Sequence, residues 1–215
     1  MDVPPAPLKI VLAHGLEDAR TLLYQTLQKL RYDQIRACHT GRDLVSLVKA
    51  DPPDLIITGV DLPDQDGIAA LLEISETIKI PAIVVTQQRT LDVVERALED
   101  HVMAYLLEPV NVEEIMPTIY LVLRRFEQFQ ELERENESLK QALADRKVIE
   151  RAKGSLMKFG QYDEEVAYKR LRRYATDNRM KLAEAADRVL NVFTLLDSPA
   201  PDVAVETQPV AKPNE

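Results

Sequence analysis

Residues Asp54–Gly67 read DLIITGVDLPDQDG, and this stretch decides the fold. DLIIT is a continuous apolar run behind the turn signal Pro52-Pro53, the pattern of a strand buried on both faces. Leu62-Pro63-Asp64-Gln65-Asp66-Gly67 then forms a turn, and GIAALLEISETI from Gly67 reads as a helix. The same alternation extends outward in both directions. KIVLA, QIRACH, PAIVVT and AYLL are further strands; LEDARTLLYQTLQKL, GRDLVSLVKA and LDVVERALED are further helices, and a fifth helix opens at Asn111. Five strands alternating with five helices predict a parallel sheet covered on both faces, joined by right-handed crossovers. About 115 residues are enough for such a core to stand alone.

The fifth helix does not stop where the sheet needs it to. From Asn111 to Phe159 the chain reads as one rod, with Asn111 as N-cap and Glu114 placed as in a capping box. Thr118 to Lys153 contains no Gly or Pro. At 1.5 Å per residue the rod is roughly 70 Å long. Its middle carries two heptads: Phe129, Asn136 and Leu143 at a, Leu132 and Leu139 at d. An Asn at one a position favours a parallel, in-register pair, and Glu135 at g and Lys140 at e are offset for a cross-chain ion pair. Arg146 at the next d ends the pattern. These residues predict a parallel homodimer; a solvated linker helix is the alternative.

Composition narrows the classes. The 215 residues carry a net charge of −9 and 46% hydrophobic residues. No run reaches the roughly 18 apolar residues of a membrane span, and MDVPPAPLK is not a secretory signal. One cysteine, Cys38, suits a reducing compartment and a cytoplasmic location, with the thiol buried in its strand. The charge is uneven. Arg146–Leu190 holds twelve Lys and Arg against seven Asp and Glu, leaving −14 on the rest. A basic module on an acidic chain is the asymmetry expected of a part that meets a polyanion.

Residues 8–123 resemble a response-regulator receiver domain of the flavodoxin-like type. The resemblance rests on Pro53-Asp54-Leu55, the Leu62–Gly67 turn, Thr86, Tyr105 at the switch-aromatic position, and Pro109. It implies an acidic pair after the first strand to hold Mg²⁺, a phosphoacceptor aspartate ending the third, a Thr or Ser and a Lys. Those positions hold His14 and Gly15, Gly59, Thr86 and Glu108. Only Thr86 survives, so a pseudo-receiver that takes no phosphoryl group is expected. Asp61, two residues past Gly59, is the one candidate substitute. Glu17 and Asp18 fit the first turn of the first helix, where acids suit the dipole.

Beyond the heptads, Val148, Ile149, Ala152, Leu156 and Met157 form an apolar stripe, and Gly160 is a natural stop. Asp163 caps EEVAYKRLRRYAT, and Asp177 or Asn178 caps RMKLAEAADRVLNVF. This segment is similar to the ANTAR domain through Ala152-Lys153-Gly154, Leu156-Met157, Asp163, Glu165, Ala167-Tyr168, Leu171-Arg172-Arg173, Ala175, Lys181-Leu182-Ala183 and Ala186. The resemblance implies binding of paired hairpins in nascent leader RNA and transcription antitermination. Lys147, Arg151, Lys153, Lys158, Lys169, Arg170, Arg172, Arg173, Arg179 and Lys181 supply the charge. Tyr168 and Tyr174 are candidates for base stacking, and Gly154 for close approach of RNA or a neighbouring helix.

The expected organisation is a leader over 1–7, the receiver-like domain over 8–123, a coiled-coil linker over 124–145, an ANTAR module over 146–197, and a disordered tail over 198–215. No constellation for catalysis, cofactor or metal binding is present in the sequence. Expected partners are hairpin RNA, a second copy, and a sensor protein or small ligand at the receiver-like domain. A DNA-binding regulator and a protein-interaction adaptor are the competing classes.

Overall fold

A computed structural model describes residues 8–87 and 102–197. The leader, the helix expected at LDVVERALED and the tail lie outside the described residues. The chain divides into two units, Met1–Glu133 and Arg134–Glu215.

In the first unit, β1 (Lys9–Ala13), β2 (Gln34–Cys38), β3 (Leu55–Gly59), β4 (Ala82–Thr86) and β5 (Val102–Leu107) form one parallel sheet in the order β2-β1-β3-β4-β5. The helices are α1 (Glu17–Lys29), α2 (Gly41–Ala50), α3 (Gly67–Ser75) and the start of α4 (Val112–Gly160). All five residues of β3 and of β4 are buried, as the unbroken apolar runs required. Val11, Val84 and Ile56 pack with Leu44, Val48, Ile68 and Ile74 of α2 and α3 on one face. Ile10, Leu12, Ile57 and Ile83 pack with Leu23 and Leu27 of α1 and with Ile115, Ile119 and Val122 of α4 on the other. Each fully buried Leu or Ile contributes roughly 1.5–3 kcal/mol against exposure.

The turn in Leu62–Gly67 has a packing role that its composition did not reveal. Asp64 accepts from the backbone N–H groups of Gly41 and Arg42, at 2.7 and 3.0 Å, and so caps α2 from 23 residues away. Asp66 caps α3 through the N–H of Ile68 at 2.7 Å. Gly67 permits a close approach: a Cβ there would stand 2.0 Å from the carbonyl oxygen of Gly59.

In the second unit, α4 continues to Gly160 and is followed by α5 (Glu164–Asp177) and α6 (Leu182–Asp197). Ala152, Leu171, Ala175, Ala185 and Ala186 are buried at the centre of these helices. Asp163 caps α5 as expected, accepting from Val166 N–H at 2.7 Å. Three local expectations are corrected. Asn111 accepts from Glu113 N–H at 3.3 Å, one residue earlier than a capping box places the bond. Gly160 is the last helical residue and has no positive φ; Gln161, at φ 51°, makes the left-handed stop. Gly160 is needed instead for space, because a Cβ on it would meet the Tyr162 ring at 2.2 Å. Neither Asp177 nor Asn178 caps α6: Asn178 closes α5, Arg179 turns the chain at φ 53°, and α6 starts at Leu182.

Candidate functional sites: a receiver-type cleft and a basic helical module

Parallel strands deliver their C-terminal ends to one edge of the sheet, and the cleft forms there. His14 follows β1, Gly59 ends β3, Thr86 ends β4 and Glu108 follows β5, ahead of a cis bond to Pro109. His14, Gly15, Asp61, Thr86, Gln87 and Glu108 line a cavity of about 410 Å³ together with apolar neighbours; among the described residues no Lys or Arg lines it. Thus the positions picked out in the sequence do converge. What they assemble is a histidine set against a glutamate, with a glycine ending β3.

The His14 ring occupies the volume that a side chain at position 59 would need, since a Cβ on Gly59 would lie 2.9 Å from His14 Cδ2. Leu16 N–H donates to His14 Nδ1 at 3.1 Å, so the neutral ring carries its proton on Nε2. Nε2 stands 2.7 Å from Glu108 Oε1. Among the described residues, Glu108 Oε1 is buried and has no partner in hydrogen-bonding geometry. Gln87 Nε2 donates to Glu108 Oε2 at 2.8 Å. Arg20 Nη1 donates to the His14 carbonyl at 2.9 Å and anchors the end of β1.

Asp61 is exposed and pairs through its backbone with Asp66. Among the described residues no group of three or more His, Cys, Asp or Glu could hold a metal ion. Glu17 and Asp18 sit in the first turn of α1, as expected. Cys38 is buried, and burial, reinforced by Asp43, pushes its thiol up to about 11.

In the helical module the basic residues divide into three groups. Lys147, Arg151 and Lys158 are exposed on one face of α4. Lys169, Arg170, Arg172 and Arg173 are exposed on α5, and Arg179 and Lys181 on the connection to α6. Lys169 bonds to Glu165 at 2.6 Å and Arg173 lies 3.6 Å from Asp177, while Arg170 rests over the Tyr162 ring at 4.2 Å. Tyr168 and Tyr174 flank the buried stripe of α5 and are each 40% exposed.

Lys153 stands apart from the other cations. It is only 8% exposed, and its ammonium bonds to both oxygens of Glu150, at 3.1 and 3.0 Å, and to Glu164 at 2.7 Å. All three protons are directed at carboxylates of its own module. Sequence reasoning placed Lys153 with the phosphate ligands; in this geometry it joins α4 to the first turn of α5. The i, i+3 spacing to Glu150 was a legible signal, the partner at Glu164 was not.

Along α4, Phe129 is partly covered and Lys79 rests over its ring at 5.9 Å. Leu132, Leu139 and Leu143 are 64%, 63% and 56% exposed in the single chain, and Asn136 is exposed between them.

A receiver-type sheet and a three-helix basic module, sharing one long helix, define a response-regulator class of signalling protein. Residues 10–120 match the response regulator receiver domain, and residues 137–190 match the ANTAR domain. The transcriptional regulatory protein PdtaR of Mycobacterium tuberculosis is 34% identical over 187 residues, 87% of this chain and 91% of that protein. The transcriptional regulatory protein KdpE of Staphylococcus aureus is 27% identical over 115 residues, 54% of this chain and 50% of that one. Among solved structures, the N-terminal domain of a response regulator/sensory box/GGDEF protein from Carboxydothermus hydrogenoformans has a TM-score of 0.51 at 22% identity, covering 56% of this chain and 97% of that one. The protein belongs to the ANTAR-domain response regulators, a regulatory family. Among the described residues no helix is long and apolar enough to cross a membrane.

Proposed function

We propose that this protein is a cytoplasmic transcription antiterminator that binds paired hairpins in nascent leader RNA. Its receiver-like unit takes no phosphoryl group and responds to a sensor protein or small ligand instead. The observation that carries the RNA reading is the exposure of nine of the ten basic candidates on a small helical module within a chain of net charge −9. Hairpin RNA is held through phosphates, through shape and through unstacked loop bases. The module offers cations on α4 and α5, with half-exposed Tyr168 and Tyr174 beside them. A parallel dimer through Leu132, Asn136, Leu139 and Leu143 would hold two modules together and raise avidity for two hairpins through effective concentration.

The phosphorylation-independent reading rests on the residues at the head of the cleft. A nucleophile at position 59 is absent, the His14 ring occupies its space, and Glu108 places negative charge beside it.

The deciding experiment is a salt-dependent gel shift of the full chain with a tandem-hairpin RNA and with duplex DNA of the same stem sequence. Preference for the hairpin RNA supports the reading; preference for duplex DNA, or binding to neither, overturns it.

A further inference from the structure

Gly154 lies inside α4 in ordinary helical conformation, and among the described residues a Cβ built on it would meet nothing within 4 Å. Packing among the described residues therefore gives no reason for glycine at this position. Glycine in an exposed helix interior costs stability relative to alanine. Gly160 and Gly67 differ in kind, because added Cβ atoms there would strike Tyr162 and the Gly59 carbonyl.

The bare backbone at Gly154 has cationic neighbours. Lys147 lies seven residues before it, Arg151 three before and Lys158 four after, so all four share one helix face over about 16 Å. The three side chains are exposed, and among the described residues none of them forms an ion pair. Lys158 rests over the Phe159 ring at 5.1 Å. Glu150 shares this face, three residues after Lys147 and four before Gly154, but both its oxygens are bonded to Lys153 and so its charge is met by another cation.

We propose that this face of α4 is a phosphodiester seat. The RNA backbone crosses the helix at Gly154, where the missing side chain allows closest approach, and Lys147, Arg151 and Lys158 contact phosphate oxygens on either side. The proposal rests on the RNA-binding reading and specifies where on the module the polyanion lies. A second copy of α4 could also approach a bare glycine. Packed on the same face, however, it would bring a second set of three cations against the first, whereas a phosphate backbone neutralises them.

The test uses the full chain, a fluorescein-labelled tandem-hairpin RNA and a salt series, with Gly154→Ala, Gly154→Leu and the triple variant Lys147→Gln/Arg151→Gln/Lys158→Gln. Thermal melts and sedimentation run alongside. Gly154→Ala should raise the melting temperature by a few degrees, since helix propensity improves. Gly154→Leu keeps a good helix former and should weaken RNA binding by about tenfold or more. The triple variant should flatten the slope of log affinity against log salt by about 2–3. A more stable helix with poorer RNA binding is an outcome that a purely structural role for Gly154 does not produce. If the unaltered protein binds the hairpins and Gly154→Leu binds them equally well, the seat is wrong while the RNA reading stands. If Gly154→Leu changes the sedimentation state and leaves RNA affinity intact, the face contacts protein and the proposal falls. If the unaltered protein shows no preference for hairpin RNA, both fall together.

Discussion

The ammonium of Lys153 lies 2.7 Å from the carboxylate of Glu164, across the connection between α4 and α5. Glu150, one turn earlier on α4, supplies the second carboxylate. A nearly buried cation is tolerated only when paired, and removal of one partner strands the other. Lys153 therefore sets how α5, with its exposed Lys169, Arg170, Arg172 and Arg173, is held against α4.

Lys153→Gln should lower the melting temperature of the helical module and weaken hairpin RNA binding at the same time. The exchanged pair Lys153→Glu with Glu164→Lys should recover part of both. Calorimetry and RNA titration on the same samples check this. Recovery of the fold without recovery of RNA binding would show that Lys153 touches phosphate directly.

The clamp also has a defined pH window. The hydrogen bond from Lys153 and its charge hold the Glu164 carboxyl below its usual range, and the hydrogen bonds that Lys153 donates to Glu164 and then to Glu150 hold its ammonium above its own. The Glu164 contribution is present above its unfolded pKa and is lost as pH falls through the depressed folded value. The Lys153 contribution is present below its unfolded pKa and is lost as pH rises through the raised one. Melting temperature of the module should stay flat through neutrality and drop in acid, and Glu164→Gln should remove part of the acid drop. An unchanged acid limb in Glu164→Gln would separate the clamp from the acid response.

Acetyl phosphate with Mg²⁺ should leave the protein at its original mass. Gly59→Asp alone should not rescue phosphorylation, because His14 fills the space and Glu108 repels the phosphoryl group. Mass spectrometry reads both results. A phosphoryl adduct on the unaltered chain, at Asp61 or elsewhere in the cleft, would refute the phosphorylation-independent reading.

Gln161 holds a left-handed conformation at φ 51° without being glycine. Gln161→Gly should stabilise the module by about 1 kcal/mol. Gly160→Ala should destabilise it despite alanine's better helix propensity, since the Tyr162 ring must move. Denaturant melts decide; a stabilising Gly160→Ala would show that the ring gives way freely.

Leu139→Asp should shift the chain toward monomer in sedimentation, because Leu139 is 63% exposed in the single chain and sits at a d position. Asn136→Val should tighten self-association while relaxing the choice of register and oligomer size. If Leu139→Asp sediments like the unaltered chain, the heptad stripe is not the dimer seam.

The order of the described strands and helices, the long α4 and the glycine that ends β3 were all present in the sequence. Apolar runs, helical periodicity and single residue identities such as Gly59 are local quantities, and local quantities are written along the chain. The same holds for Asp163, whose capping bond reaches three residues ahead. Contacts between distant positions were decided by packing. Asp64 turned out to cap α2 from 23 residues away, His14 to fill the space beside Gly59, and Lys153 to face Glu164 instead of solvent. A long side chain can point several ways from one backbone position, and only the assembled helices select the direction. For that reason composition foretold a basic module, and only the tertiary structure separated the lysine that holds it together from the cations exposed on its surface.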